Sequence, residues 1–192
     1  KTIYKFVWNT YCDWYLELSK SIFWDDNIGV EQQAATRRTL LQVLESLLRI
    51  SHPIMPFITE TLWHQVAPRL GVEGTSIMTQ SFPEAASCKA DEEAEQQIEW
   101  LKAVITALRN IRGEASIKPS QGIDVVLQDG DQSDRIQASN AEEMLKRLAN
   151  VTSIEWLESG VEPPPNALAL VGDLKVMVPL AGLIDVEAER AR

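Results

Sequence analysis

The chain has 192 residues, 45% of them hydrophobic, with 18 basic against 28 acidic side chains and a formal net charge of −10. That length can bury a real core and fits one large domain or two small ones. With no run of eighteen or more apolar residues, the sequence contains no membrane-spanning helix. The acidic balance argues against a protein that grips nucleic acid over its whole surface. Much of the acid lies between Glu84 and Glu99 and in the last third. The first fifty residues nearly balance their charges, so a nucleic-acid contact should be local and should rely on base recognition more than on counting phosphates. Cys12 and Cys88 lack metal-ligand spacing, the composition is that of an intracellular protein, and Cys12 reads as a small buried hydrophobe.

The first element is the densest in aromatics. At about 100° per residue, Tyr4, Trp8, Tyr11, Tyr15, Leu18 and Ile22 fall in one helical sector of roughly 80°. Ile3, Val7 and Trp14 widen it, and the spacing predicts that this face is core. Lys5, Asn9, Asp13, Glu17 and Lys20 form the opposite, polar stripe. Leu16 projects among those polar groups, about 20° from Lys5 on the wheel. The stripe fits either a solvated face with ordinary ion pairs or a recognition surface, and Leu16 is the residue that a merely solvated face does not require. The sequence opens with Lys1 inside this helical pattern, without a cap or a signal-peptide layout, and so is expected to be cut from a longer protein.

Asp25-Asp26-Asn27-Ile28-Gly29 reads as a loop. A second helix is predicted from about Glu31 to Ile50, with Leu40, Leu41, Val43, Leu44, Leu47, Leu48 and Ile50 on a broad apolar face. Pro53 and Pro56 end it, and Pro56 suits the first turn of a third helix carrying Ile58, Leu62, Trp63 and Val66, closed by Pro68. These three helices can form an antiparallel bundle. Ser76 to Phe82 is expected to be extended. A fourth helix starts behind Asp91, repeats Ile98, Leu101, Ile105, Leu108 and Ile111, and is expected to stop at Gly113 after Arg109 and Arg112.

The pattern then changes to a strand at Gly122–Gln128, a turn at Asp129–Asp131, a helix from Ile136 to Leu148, a strand at Ser153–Leu157, a stiff Pro163–Pro165 linker, and a hairpin of 167–171 and 174–178 turning at Gly172-Asp173. The predicted fold is mainly α with a small α+β extension. Its parts are a helical bundle at 1–84, a long connecting helix packed on it at 85–115, the α+β unit at 116–184, and the start of a charged helix at 185–192.

No catalytic arrangement holds. Glycine-rich phosphate loops, His-Glu-x-x-His and paired Cys-x-x-Cys are absent. His52 at a helix end and His64 beside Trp63 read as structural residues. Carboxylate pairs such as Asp25-Asp26 and Glu92-Glu93 are explained by solvation or the helix dipole.

Three motifs in order carry a resemblance: Trp8-Asn-x-x-Cys-Asp-Trp-Tyr-Leu-Glu17, Leu47-Leu-Arg-x-x-His-Pro-x-x-Pro-Phe-x-Thr-Glu-x-Leu-Trp63, and Trp100-Leu-Lys-x-Val-Ile-x-Ala-Leu-Arg-Asn-Ile-Arg112. Together they resemble the C-terminal region of class I aminoacyl-tRNA synthetases. The Cys-Asp-Trp-Tyr-Leu-Glu element and Val178-Pro-Leu-Ala-Gly-Leu-Ile-Asp185 resemble the valyl family within that class, and the likeness covers essentially the whole chain. It implies a helical anticodon-binding domain, a small α+β extension and a coiled coil. The resemblance further implies an ATP-using enzyme that attaches valine to tRNA(Val) and hydrolyses mischarged threonine, in the cytoplasm and as a monomer. The family's ATP-site signatures, His-Ile-Gly-His and Lys-Met-Ser-Lys-Ser, do not occur in this sequence. The catalytic core and editing domain are therefore expected upstream of Lys1, and no cofactor, metal, membrane or DNA contact is expected within these residues.

In the family, the Leu-Glu that closes the Asp-Trp-Tyr-Leu-Glu element lies against the anticodon, which implies Leu16 and Glu17 as RNA-binding residues. Physically, Glu17 can accept from an exocyclic base amine and Leu16 can pack on a base. Asn9, Asp13 and Lys20 share their face, with Lys20 suited to a phosphate. Two other readings stay open: the equivalent domain of an isoleucyl or leucyl enzyme, and a helical protein-interaction module without RNA binding.

Overall fold

The structure is a computed structural model that describes residues 1–25, 27–85 and 90–180. The predicted charged helix at 185–192 and Cys88 lie outside the described residues. The chain divides into two compact units, Lys1–Ala90 and Asp91–Arg192.

The first unit begins with a continuous helical rod in three parts: α1 (Thr2–Lys5), a π-helical segment (Phe6–Leu16) and α2 (Glu17–Phe23). Five of the eleven π-helical residues are aromatic. Val7 and Thr10 are β-branched, and both residue kinds lose side-chain freedom against an α-helical turn, so α geometry is given up cheaply there. The π turn closes i→i+5 rings and is rare in soluble proteins.

Behind Gly29 runs α3 (Val30–Ser51), and Pro56 opens α4 (Pro56–Leu70). Pro68 sits inside the last turn of α4, and Gly71 ends that helix in the left-handed conformation, φ 71°. The expected extended run at 76–82 is instead a 3-10 turn at Ile77–Thr79, because the Ser76 hydroxyl accepts from the Met78 amide 3.2 Å away and caps it.

α3 and α4 pack on each other, and their core gathers Leu48, Trp63, Val66, Ala67 and Ile77, flanked by Leu41, Leu44, Leu70 and Val72. At its centre is a buried charge. Glu45 accepts from Trp63 Nε1 at 3.0 Å through one oxygen and from Arg49 Nε and Nη2 at 3.0 and 2.7 Å through the other. Arg49 Nη1 goes on to donate to the Ser81 carbonyl at 2.8 Å, so one network ties α3, α4 and the following loop together.

In the second unit, α5 (Glu92–Glu114) starts at Asp91, whose carboxylate accepts from the Ala94 amide at 3.0 Å. It does not stop at Gly113. The helix continues to Glu114 and turns at Ser116, φ 53°. The sheet has the order β2-β1-β4-β3, from β1 (Ile123–Gln128), β2 (Val151–Trp156), β3 (Asn166–Val171) and β4 (Leu174–Pro179).

β1 and β2 are parallel, joined through α6 (Gln132–Ala149), while β4 runs antiparallel to β1 and to β3. A crossover between parallel neighbours needs about a dozen residues or more, and α6 supplies them. It begins a full turn earlier than its apolar periodicity, because Asp131 and Asp134 form a reciprocal capping box with both bonds at 2.9 Å. α5 packs on β3, β4 and α6, and α6 packs on β2. The apolar face of α5 is thus spent within its own unit, where Ile105, Leu108 and Ile111 are buried, as are Val125, Leu127 and Val176 of the sheet.

Candidate nucleic-acid interface

The wheel used to lay out the first helix assumes α geometry, and the structure breaks that assumption between Phe6 and Leu16. Four residues span more than one α turn but less than one π turn, so a stripe spaced by four drifts in the opposite sense through this segment. The aromatic face is divided as a result. Tyr11 and Leu18 are buried, whereas Tyr4 and Trp8 are 68% and 57% exposed, with rings stacked at 6.3 Å and 2° between planes. The expectation of a continuous core stripe therefore holds only for its C-terminal half. Trp14 and Cys12, expected in the core, are half-buried.

What anchors the rod is the stretch around Tyr11. Its hydroxyl donates to the Leu40 carbonyl of α3 at 3.1 Å, and burial pushes the phenol pKa above its ordinary value. Near the other end, the Arg37 guanidinium lies over the Phe23 ring at 5.3 Å. Ser19 and Ser21 are buried, and their hydroxyls donate back to the carbonyls of Tyr15 and Leu18 at 2.7 and 2.6 Å.

The five predicted recognition residues fall on this anchored rod. Leu16 is the last π-helical residue and Glu17 the first of α2, so the pair straddles the junction of the two helical geometries. Helical irregularities of this kind recur at functional sites. Asn9 and Asp13 are exposed on the π segment, while Leu16, Glu17 and Lys20 are half-buried. Of the five, the structure brings Glu17 and Lys20 into contact, Lys20 Nζ donating to Glu17 Oε1 at 2.5 Å.

That contact bears on what each can do. With side chains 43% and 44% exposed, the pair is a surface ion pair one turn apart. Such a pair is worth about 0 to 1 kcal/mol, less than the roughly 1 to 3 kcal/mol of a good base contact. A base amine can therefore compete for Glu17, whose second carboxylate oxygen takes no part in the pair. Lys20, expected to reach a phosphate, is first of all the counter-ion that holds Glu17 in place.

The second motif serves the scaffold. His52 Nδ1 lies 2.8 Å from the Thr59 hydroxyl, pinning the end of α3 to the first turn of α4. Glu60 accepts from the Ser76 hydroxyl at 2.9 Å and the Ile77 amide at 3.3 Å, with His64 Nε2 at 2.9 Å. Partial desolvation raises the Glu60 pKa, but those two hydrogen bonds and the nearby histidines outweigh it and hold the carboxyl below its ordinary range. Among the described residues no cluster of His, Cys, Asp and Glu could hold a metal ion, and no helix is long and apolar enough to cross a membrane.

The three quoted motifs thus lie on the rod, across the end of α3 and the start of α4, and on α5. A family model described as the anticodon-binding domain of tRNA ligase matches residues 1–127. The chain belongs to that family. Over its whole length it is also similar to proteins named valine–tRNA ligase. It is 46% identical over 191 residues to that of Stenotrophomonas maltophilia, covering 99% of this chain. It is 44% identical over 194 residues to that of Xanthomonas axonopodis pv. citri and 46% over 196 residues to that of Xanthomonas campestris pv. campestris, covering 100% of this chain in both cases. The chain spans 20% of the length of these relatives.

Sequence reasoning missed the exposure of Tyr4 and Trp8 and the π-helical geometry beneath Leu16. Periodicity shows which side chains share a face, and leaves open whether anything covers that face.

Proposed function

We propose that this chain is the part of a valine–tRNA ligase that reads the anticodon of tRNA(Val), with Leu16 and Glu17 as its principal contacts. The observation that carries the reading is the placement of Leu16 and Glu17 at the junction of the π-helical segment and α2, with Glu17 in a part-exposed ion pair to Lys20. A carboxylate accepts from exocyclic amines such as that of cytosine and repels carbonyl-bearing edges, which gives a base preference. Leu16 offers an apolar surface for the ring of the same or a neighbouring base. Lys20 orients the carboxylate until the base arrives and is then released toward the backbone. Asp13 and Asn9, about one and two turns back along the rod, extend the polar surface that the loop would meet.

The full-length enzyme, in this reading, works in the cytoplasm as a monomer. It attaches valine to tRNA(Val) using ATP and edits mischarged threonine, with both chemical sites in domains that precede this chain. The helical unit then contributes specificity for the tRNA and takes no part in the chemistry.

The test is aminoacylation by the full-length protein carrying Glu17→Ala, with tRNA(Val) and with transcripts altered in the anticodon. Discrimination between them should fall by about 1 to 3 kcal/mol in kcat/KM. Valine-dependent ATP–pyrophosphate exchange should not change. If the variant discriminates among anticodons as well as the parent does, the assignment of Glu17 is wrong.

A further inference from the structure

α4 is apolar on both of its sides. One side is buried through Thr59, Trp63, Val66 and Ala67, where the helix packs on α3, and the other leaves Phe57, Ile58 and Leu62 exposed. A helix that is apolar all round belongs in an interior rather than at a boundary with water.

The exposure continues back through the turn that joins α3 to α4. Residues 53–58, Pro-Ile-Met-Pro-Phe-Ile, are all exposed, Ile54 at 71% and Phe57 at 88%. An exposed apolar run longer than about three or four residues calls for a partner. A groove of about 400 Å³ joins this run to the loop after α4, lined by Pro53 and Pro56 from the first and by Ile77, Met78 and Phe82 from the second. Met78 and Phe82 are exposed as well, so the apolar surface extends across the groove.

The run is held in shape. The Ser51 carbonyl accepts from the amides of Ile54 and Met55, both at 3.0 Å, and the Thr59 hydroxyl lies 2.8 Å from the Met55 carbonyl and from His52 Nδ1. Pro53 and Pro56 fix the backbone on either side of Ile54 and Met55. A surface ordered in advance loses little entropy when it is covered.

Charge and length indicate what covers it. No Asp, Glu, Lys or Arg lies between Ile50 and Thr59. Arg49 lines the groove, but its three nitrogens already donate to Glu45 and to the Ser81 carbonyl. A polyanion would therefore find little counter-charge there. A second copy would set another formal charge of −10 against the first, and net charge far from zero keeps proteins apart. The chain spans 20% of the length of its relatives, so most of such a protein lies outside these residues and is tethered to them at high effective concentration.

We infer that residues 53–58 and the adjoining groove pack on an apolar face of the domains that precede this chain in the full-length protein. The inference rests on the proposal that the chain is part of a valine–tRNA ligase.

The test places benzoylphenylalanine, a photoreactive phenylalanine derivative, at position 57 of the full-length protein, prepared as a mixture of isotopically light and heavy chains. Irradiation should give crosslinks within a single polypeptide, mapped by mass spectrometry to residues that precede Lys1. Crosslinks between light and heavy chains would show a second copy, crosslinks to residues 91–192 the other unit of this chain, and crosslinks to added tRNA a nucleic acid. Each of these outcomes, like the absence of any crosslink, overturns the inference. In the double variant Ile54→Ser with Phe57→Ser, hydrogen peroxide should oxidise the uncovered Met78 at least about fivefold faster than in the parent, and an equal rate would overturn the inference too. Valine-dependent ATP–pyrophosphate exchange by the same protein separates the two failures. Exchange without the crosslink leaves the proposed function standing, and the crosslink without exchange removes that function while keeping the surface.

Discussion

Replacing Glu45 by alanine isolates the energetics of the buried network between α3 and α4. The Glu45 and Arg49 side chains are 5% and 24% exposed. Removing the carboxylate leaves the indole N–H of Trp63, itself 1% exposed, without its acceptor, and strands most of a guanidinium charge. An orphaned buried donor costs about 1 to 3 kcal/mol, and breaking a buried charge pair from one side about 3 to 5 kcal/mol in total. For a protein of this length that lowers the thermal midpoint by about 6 to 20 °C, at roughly 2 to 4 °C per kcal/mol. Urea titrations followed by far-ultraviolet circular dichroism measure it as a lower midpoint at constant slope. Replacing all three members, Glu45→Met with Arg49→Met and Trp63→Phe, removes donors and acceptors together and should cost much less than Glu45→Ala alone. A single alanine variant that melts within about 2 °C of the parent would show that the carboxylate is solvated and the network is decoration.

Four further outcomes can be checked on the same instruments. Arg112→Lys replaces a planar fork by a point charge and should cost about 2 to 4 kcal/mol, since no ammonium can serve the carbonyls of Lys118, Gln121, Ala149 and Asn150, to all of which the guanidinium donates; a loss under about 0.5 kcal/mol would mean that water takes over those carbonyls. Trp63→Ala should cost about 3 to 5 kcal/mol and Trp14→Ala clearly less, because only the first is fully buried; equal losses would place Trp14 in the core. The double change Tyr4→Ser with Trp8→Ser should leave stability within about 1 kcal/mol, because that stack faces solvent. Acid sensitivity follows from Glu60. Its folded pKa lies below the unfolded one, so its stabilisation is present above an unfolded value of about 4.3 and is lost as pH falls through the folded value. Glu60→Gln should therefore flatten the decline of the melting temperature on the acid side, and parallel curves for variant and parent would refute that origin.

The helices of both units were legible wherever a chemical signal marked their ends. Asp91 and Pro56 act in the structure as their side chains suggest, whereas Pro68, expected to close α4, lies inside its last turn and Gly71 ends the helix instead. Signals that compete were misread. Gly113 looks like a stop, yet nothing lies within 4 Å of where its Cβ would be, and the helix runs through it. The first turn of α6 carries polar residues only, so apolar spacing could not show it, while the Asp131–Asp134 box could have.

Hairpin pairing of β3 and β4 followed from Gly172-Asp173. The parallel pairing of β1 with β2 rests on contacts far apart in sequence that no local pattern encodes. In the candidate interface, Leu16 and Glu17 came from a motif and from one apolar residue on a polar stripe. The π geometry beneath them leaves no periodic trace, because a wider turn changes the angle between residues without changing their polarity.

That wider turn also gives the first helix a tolerance of residue count. In a π-helical stretch each turn holds more residues than an α turn, so deleting one residue between Phe6 and Leu16 would let one π turn close into an α turn with little strain. A continuous α-helix that lost a residue would instead rotate its N-terminal side by about 100° relative to Leu16 and Glu17. The extra residue of a π turn thus absorbs a change of length, and the turns on either side of it keep their phase.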